Sequence, residues 1–416
     1  MGARPGTGVS GVAIRVPGSK SLTQRYLVQA FWTDPVACPD GVRLDGALDG
    51  DDPNALCGIL TGLGATVARN ADGLTVHPTD VPRGHGKTFF GGNAGTAVRF
   101  GAALSLGVPG AYAIDGDARM RTRPWGPLLD ALEQAGVIVE RGDDPACPPA
   151  VFHGPGSPGP SLSIEGTRSS QFASALLLTA PAVGGGLTLS LDPDRVSEPY
   201  LRMTLATMEQ GGVAVDGTND CVHVPPGRYR SAHYAVEPDA SAAAFPLAAG
   251  RLLQREVSVP GLLDERASLQ GDAAFTRLAQ ALAGGATSLD LTDVPDLLPP
   301  LAVLALAQPQ RTTLAGIAHT RIKECDRPAV LAAGFRALGA NVEERHDALT
   351  LGRWTPADAP ERARLATESD HRMAMAFGLL RPWLPGLSID DPACVTKSFP
   401  DFWNAMRPLL GDSTHG

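Results

Sequence analysis

Aromatic side chains are scarce, 5% of the chain, and the six cysteines include no CxxC pair. The wide spacing of Cys38, Cys57, Cys147, Cys221, Cys325 and Cys394 is neither a disulfide framework nor a zinc signature. Reduced thiols in a cytoplasmic setting are the expectation. No stretch approaches the ~18 apolar residues of a membrane span. The opening "MGARPGTGVSGVAIRV" has no apolar signal core, and Gly6 stands where a myristoylation signal needs Ser or Thr. Positive charge is in deficit, with a formal net charge of -9. That balance, and the want of aromatics among the basic loops, argues against nucleic acid or an anionic membrane as partner. Small anionic ligands stay open, because a site's potential is set locally.

What the chain does have is length and turns. Its 416 residues, 43% hydrophobic, predict about two domains. The 48 glycines and 36 prolines are scattered among apolar runs and punctuate them. One pattern recurs: an apolar helical stretch ends at Gly, and a strand-like segment follows. It is seen around Gly64, Gly136, Gly212, Gly285 and Gly339. A glycine just past the last turn takes the left-handed conformation without a Cβ clash. In three copies an "NADG", "GTND" or "RHDA" turn leads to a second strand, a hairpin signal. Each unit reads as a small α/β subdomain, with a sixth masked by the ends that carry charged motifs.

The chemistry concentrates at turns. "VPGSKSLTQR" places Lys20 and Arg25 beside Ser19, Ser21 and Thr23 at a helix start. Free backbone N–H groups and the helix dipole attract an anion there, and Arg25 offers a fork for carboxylate or phosphate. The GxxxxGK[ST] spacing of a P-loop is absent. "GGNAGTAVRF" is a second glycine-rich helix start. "DGDARMRTRP" gathers Arg119, Arg121 and Arg123 before Pro124, and "TRSSQFASALLL" supplies Ser169, Ser170 and Gln171. "RIKECDR", "ESDHRMAM" and "VTKSFPDF" add Lys323, Glu324, Arg327, His371, Arg372 and Lys397. "LDGDDPN" is the one metal-like run, without convincing ligand spacing; no metal and no cofactor are expected.

These motifs, with "VSEPY", "DAS" and "VPDLLPPLAV", stand in the order and spacing of the enolpyruvyl transferases, which the chain resembles from Val16 to Phe402. The resemblance is closest to members that use shikimate 3-phosphate. It implies an α/β fold of two similar domains, each of three βαβ-type subdomains, an inside-out α/β barrel with the site in the interdomain cleft. The expected halves are 18–236 and 237–416, with residues 1–17 packing on the second. The implied reaction moves the enolpyruvyl group of phosphoenolpyruvate (PEP) to the 5-hydroxyl of shikimate 3-phosphate, releasing phosphate. A cytoplasmic monomer working in aromatic amino-acid biosynthesis is implied as well.

By resemblance, Lys20, Ser21, Arg25, Ser169, Ser170, Gln171, Ser197, Tyr200, Asp296, His319 and Lys323 would hold shikimate 3-phosphate. Lys20, Gly95, Arg119, Gln171, Arg327, Arg372 and Lys397 would surround PEP. Asp296 and Glu324 would transfer protons, with Lys20, His371 and Asp49 as further catalytic candidates. Two carboxyl groups in opposite protonation states suit a hydroxyl that loses a proton while the PEP methylene gains one. Lys323 and Arg327 beside Glu324 favour its ionised form, so burial must offset them for it to act as an acid. Gly95 implies sensitivity to glyphosate, because members with alanine there exclude it. Departures from the family pattern are His319 for Asn, Glu198 for Lys, Ala242 in a hydroxyl-rich run and Phe100 for Pro. His319 leaves a paralogue with another acceptor open. A UDP-N-acetylglucosamine enolpyruvyl transferase would carry a reactive Cys in the 116–124 loop, which has none. The remaining alternative is a noncatalytic anion-binding protein on the same scaffold.

Overall fold

All five repeat glycines take positive φ, between 79° and 115°, and each ends a helix as its spacing predicts. The computed structural model describes residues 11–218 and 220–411. After Gly64, Gly136, Gly212 and Gly339 the chain enters an antiparallel hairpin, such as Thr66–Asn70 with Gly73–His77. After Gly285 it enters Ser288–Asp290 instead, which pairs in parallel with Thr312–Ala315.

Four sheets share one topology, a parallel pair extended by a hairpin. One of them runs Lys87–Phe90, Gly110–Asp115, Ala150–Gly154, Ile138–Arg141. Two more sheets keep the parallel pair alone: Val12–Ala13 with Val257–Ser258, and Ala363–Leu365 with Leu387–Ile389. The five repeat glycines thus lead into four sheets and not five, since the strands after Gly285 and Gly339 belong to the same one.

Within the sheets lie helices buried on nearly every side. Lys20–Phe31, Gly95–Ala103 and Gln171–Thr179 pack together in the first half of the chain. Ala240–Leu253, Leu298–Leu306 and His371–Gly378 occupy the same place in the second. Leu298–Leu306 is apolar on every side, as befits an interior helix. One hydrophobic core runs from Leu22 to Tyr234; another joins Ile14 to residues between Ala242 and Leu409.

The chain passes between the two cores at two places that lie side by side. Ser19 N donates to Glu237 O at 2.8 Å and Asp239 N to Pro17 O at 2.9 Å. Gly18 is required there, since a Cβ would collide with the carbonyl of Gly46. Residues 1–10 lie outside the described residues. Among the described residues no helix is long and apolar enough to cross a membrane.

Candidate active site

Helices Lys20–Phe31, Gly95–Ala103 and Gln171–Thr179 begin at one cleft, so their free N–H groups and positive dipole ends face it. Lys20, Ser21, Arg25, Ser169, Ser170, Gln171, Ser197 and Tyr200 line the cleft from the first half. Asp296, His319, Lys323, Glu324 and Arg327 line it from the second. Every residue assigned by resemblance to shikimate 3-phosphate is therefore at the cleft wall. Ser197 takes a left-handed φ of 59°, uncommon outside glycine, at the start of helix Glu198–Gln210.

Arg25 is fixed before any ligand arrives. Its Nε donates to Thr204 Oγ1 at 2.8 Å, Nη1 to Ser21 O at 2.9 Å and Nη2 to Tyr200 O at 2.9 Å. Across the cleft, Arg327 holds three carboxylates. Nη1 lies 2.7 Å from Asp296, Nη2 3.1 Å from Glu324 and Nε 2.8 Å from Asp370. Asp370 in turn caps the helix His371–Gly378 by accepting from Arg372 N. Arg372 reaches Asp296 at 2.9 Å, opposite the face that Arg327 occupies.

Burial opposes ionisation of Asp296, but Arg372, Lys323, Arg327 and Lys20 outweigh it and hold the carboxyl well below the usual range. Glu324 behaves alike: burial raises its pKa, while Arg123, Arg327, Lys397 and Lys20 pull it well below. The contest between burial and cations at Glu324 thus goes to the cations. His371 is wholly buried with neither ring nitrogen hydrogen-bonded, and burial followed by Lys20 and Arg372 holds it neutral. It lies behind the wall, not on it.

Two assignments made by resemblance move to neighbours. Asp49 is exposed and pairs with Arg69 at 2.8 Å, away from the cleft. Asp52, one helical turn on, is the buried carboxylate: Lys20 lies 3.1 Å and Lys397 2.8 Å from its two oxygens. Arg119 likewise points elsewhere, donating to the carbonyls of Lys323 at 2.8 Å and Arg321 at 3.3 Å across the gap between halves. Arg123 is the arginine at the cleft wall, with Nη1 2.8 Å from both Asn93 oxygens and Nη2 3.8 Å from Glu324. Asp52 is the second residue of helix Asp51–Gly62, buried where Asp51 is exposed, and Arg123 precedes Pro124; neither feature by itself says which way the side chain points.

Gly95 and Lys397 complete the same wall. A Cβ on Gly95 would stand 2.5 Å from Arg123 Nη2, and Lys397 Nζ donates to Asn93 O at 2.6 Å. Thr96 and Arg168 also line the cleft. Gln171 accepts from Arg99 at 2.5 Å, which orients its amide. Of the departures, Glu198 pairs with Arg195 and Arg202. Phe100 is buried beneath Arg25, whose guanidinium lies 5.8 Å from the ring centre. His319 faces the cleft with Nε2 unpartnered, its pKa pushed down to about 4 by burial and then by Lys323. Among the described residues no group of His, Cys, Asp or Glu gathers as a metal site.

Clustered cations from both halves around two candidate proton-transfer carboxylates, on sheets that each extend a parallel pair, define an enolpyruvyl-transferase type of cleft. The comparisons with characterised proteins narrow this. A family model described as EPSP synthase (3-phosphoshikimate 1-carboxyvinyltransferase) matches residues 4–406. Two similar chains, both named 3-phosphoshikimate 1-carboxyvinyltransferase, come from Shewanella amazonensis and Pseudomonas syringae pv. syringae. Each is 35% identical; the first alignment covers 97% of both chains, the second 94% of this chain and 93% of the relative. The fold is shared with the EPSP synthase of Acinetobacter baumannii, with a TM-score of 0.73 at 20% identity over 96% of this chain and 95% of that one. It is also shared with the enolpyruvyl transferase NikO of Streptomyces tendae, with a TM-score of 0.66 at 14% identity over 98% and 96%. The chain belongs to the EPSP synthase family.

Proposed function

We propose that this protein transfers the enolpyruvyl group of PEP to the 5-hydroxyl of shikimate 3-phosphate, yielding 5-enolpyruvylshikimate 3-phosphate and phosphate. The observation that carries the reading is Arg327, which holds Asp296 and Glu324 on adjacent guanidinium nitrogens at the cleft wall. Two carboxyl groups thus stand one arginine apart, where one serves the hydroxyl and the other the methylene.

Arg25 with Ser169, Ser170 and Ser197 receives the phosphate of the acceptor, and Gln171, Tyr200, His319 and Lys323 surround its ring. PEP lies between Lys20, Arg123, Arg327, Arg372 and Lys397. Asp296, held ionised, takes the proton of the 5-hydroxyl as it attacks carbon-2. Glu324 protonates the methylene. The carboxylate and phosphate of PEP neutralise the cations that depress Glu324, so burial then dominates and raises its proton affinity when the acid is needed. The tetrahedral adduct expels phosphate, which carries off the proton that Asp296 took, as Glu324 takes the methyl proton back. Fixed cations stabilise that charge without reorganising.

The halves are proposed as 18–236 and 237–416, with residues 1–17 on the second, in keeping with the pairing of Val12–Ala13 with Val257–Ser258. A monomer in the cytoplasm is the state the family resemblance suggests, and six free thiols suit that compartment. The test is phosphate release by purified protein from PEP, with and without shikimate 3-phosphate. Release that needs both substrates and is lost in Asp296→Ala supports the reading. Release with neither or one of them, or none with both, overturns it.

A further inference from the structure

Behind Asp296 lies a second carboxylic acid that the reaction above does not use. Asp272, on the short turn Gly271–Ala274, is 2% exposed, and its Oδ1 has no hydrogen-bond partner. Its Oδ2 accepts from Ser241 Oγ and lies 3.2 Å from the Tyr200 hydroxyl. The same hydroxyl lies 3.3 Å from Asp296 Oδ2. One O–H therefore stands between two carboxyl groups, at distances slightly long for a committed bond to either. Such a hydroxyl can face either way. Tyr200 comes from the first half of the chain and both carboxyl groups from the second, so the connection exists only where the halves meet.

We propose that Asp272 stores the proton of the reaction, receiving through the Tyr200 hydroxyl the proton that Asp296 takes from the acceptor. The inference rests on the enolpyruvyl-transfer reading. The protons balance as follows. Asp296 Oδ2–H gives its proton to Tyr200 Oη, whose own proton passes to Asp272 Oδ2. As phosphate departs, Asp272 donates to Tyr200, Tyr200 donates to Asp296, and Asp296 passes the proton to the leaving phosphate, so that Asp296 and Asp272 are again carboxylates. The proton taken from the acceptor hydroxyl thus leaves on the phosphate.

The surroundings set the direction of flow. Arg372, Lys323 and Arg327 make Asp296 a poor holder of a proton. Asp272 is buried and faces Asp296 and Asp239, against which Ser241 and Arg372 only partly compensate, and its pKa is pushed up to about 6. Burial, Asp272 and Asp296 keep the Tyr200 hydroxyl neutral, so it relays a proton without becoming a phenolate. Asp272 acts through Tyr200 and Asp296, behind the cleft wall.

The measurement is the single-turnover rate constant against pH, with both substrates bound to excess enzyme. In the wild type it should fall as pH drops through about 6, when Asp272 fills before the reaction begins. Asp272→Asn should lower the rate at pH 7.5 by about tenfold or more and abolish that limb, with affinity for shikimate 3-phosphate held. Ser241→Ala removes the donor to ionised Asp272 and should move the limb to higher pH; it decides the matter if Asp272→Asn does not fold. A limb unmoved in either folded variant, with the rate within about twofold of wild type, overturns the relay while leaving the transferase reading intact. A wild-type enzyme that releases no phosphate from the two substrates overturns both.

Discussion

Lys397, near the end of the chain, lies 2.8 Å from Asp52, whose other oxygen lies 3.1 Å from Lys20 near its beginning. In the proposed reaction both ammonium groups face PEP, and one buried carboxylate from the first half holds them apart and in place. Burial opposes its ionisation, yet Lys20 and Lys397 draw its pKa below the usual value. A carboxyl depressed in the folded state adds stability above its unfolded pKa, about 4, and loses it as pH falls further.

Asp52→Ala leaves two buried cations facing each other, and removal of one partner from such a cluster costs about 3–5 kcal/mol. Urea unfolding at pH 7 should show a loss of that order, reduced when PEP is present to supply the missing negative charge. Equal losses with and without PEP would separate Asp52 from the PEP wall.

The exchange of Arg119 for Arg123 gives a second prediction. Arg123 faces Glu324 from the wall, so Arg123→Ala should raise KM for PEP by about ten- to a hundredfold, the range of a charge-assisted hydrogen bond or two. Arg119→Ala removes donors to the Lys323 and Arg321 carbonyls instead. It should slow turnover through poorer contact between the halves, with a smaller change in KM. Steady-state kinetics at varied PEP distinguishes the two, and a larger KM effect in Arg119→Ala would reverse the assignment.

How far the sequence carried the site is instructive at these positions. Helix ends and hairpins were legible, because Gly and Asn-Gly-type turns act locally and leave a mark on composition; the residues that line the cleft were reached through the family resemblance. Asp49 and Asp52, or Arg119 and Arg123, are alike in type and differ in direction. Direction is set by helix phase and by what the second half presents across the gap, and local pattern does not record either. Asp272 lay further out of reach, since its burial and its approach to Tyr200 depend on the meeting of both halves.

Gly95 offers a third prediction. A methyl group there would lie 2.5 Å from Arg123 Nη2 and 2.8 Å from its Cζ, so a guanidinium tied to Asn93 by two hydrogen bonds would have to give way. Gly95→Ala should fold with a modest loss of stability, raise KM for PEP several-fold and weaken competition by glyphosate more than it weakens PEP. An inhibition titration against PEP reads both effects; parallel losses for the two ligands would show that the methyl group acts only through Arg123.

His319 gives a fourth. Buried at the cleft wall and depressed to about 4, its ring is neutral throughout the neutral range. KM for shikimate 3-phosphate should then show no histidine limb between pH 6 and 8 that His319→Asn removes. Such a limb, present in the wild type and absent in the variant, would mean that the bound phosphate protonates the ring.

The last prediction concerns stability, and its sign is opposite to that for Asp52. Asp272 has a folded pKa of about 6, above the unfolded carboxyl value, because burial and the adjacent Asp296 disfavour its charge. The folded state therefore binds the proton more tightly than the unfolded one, and Asp272 adds stability as pH falls from about 7 toward 4. At neutral pH its ionised form costs on the order of 3 kcal/mol, about two pKa units at 1.36 kcal/mol each. Asp272→Asn keeps the shape without the charge. Urea unfolding should find it more stable than wild type at pH 7.5, with the difference closing by pH 5. A variant less stable at both pH values would mean that the ionised carboxylate is needed to hold Ser241 and Tyr200, and that the strain of its burial is relieved by those two donors.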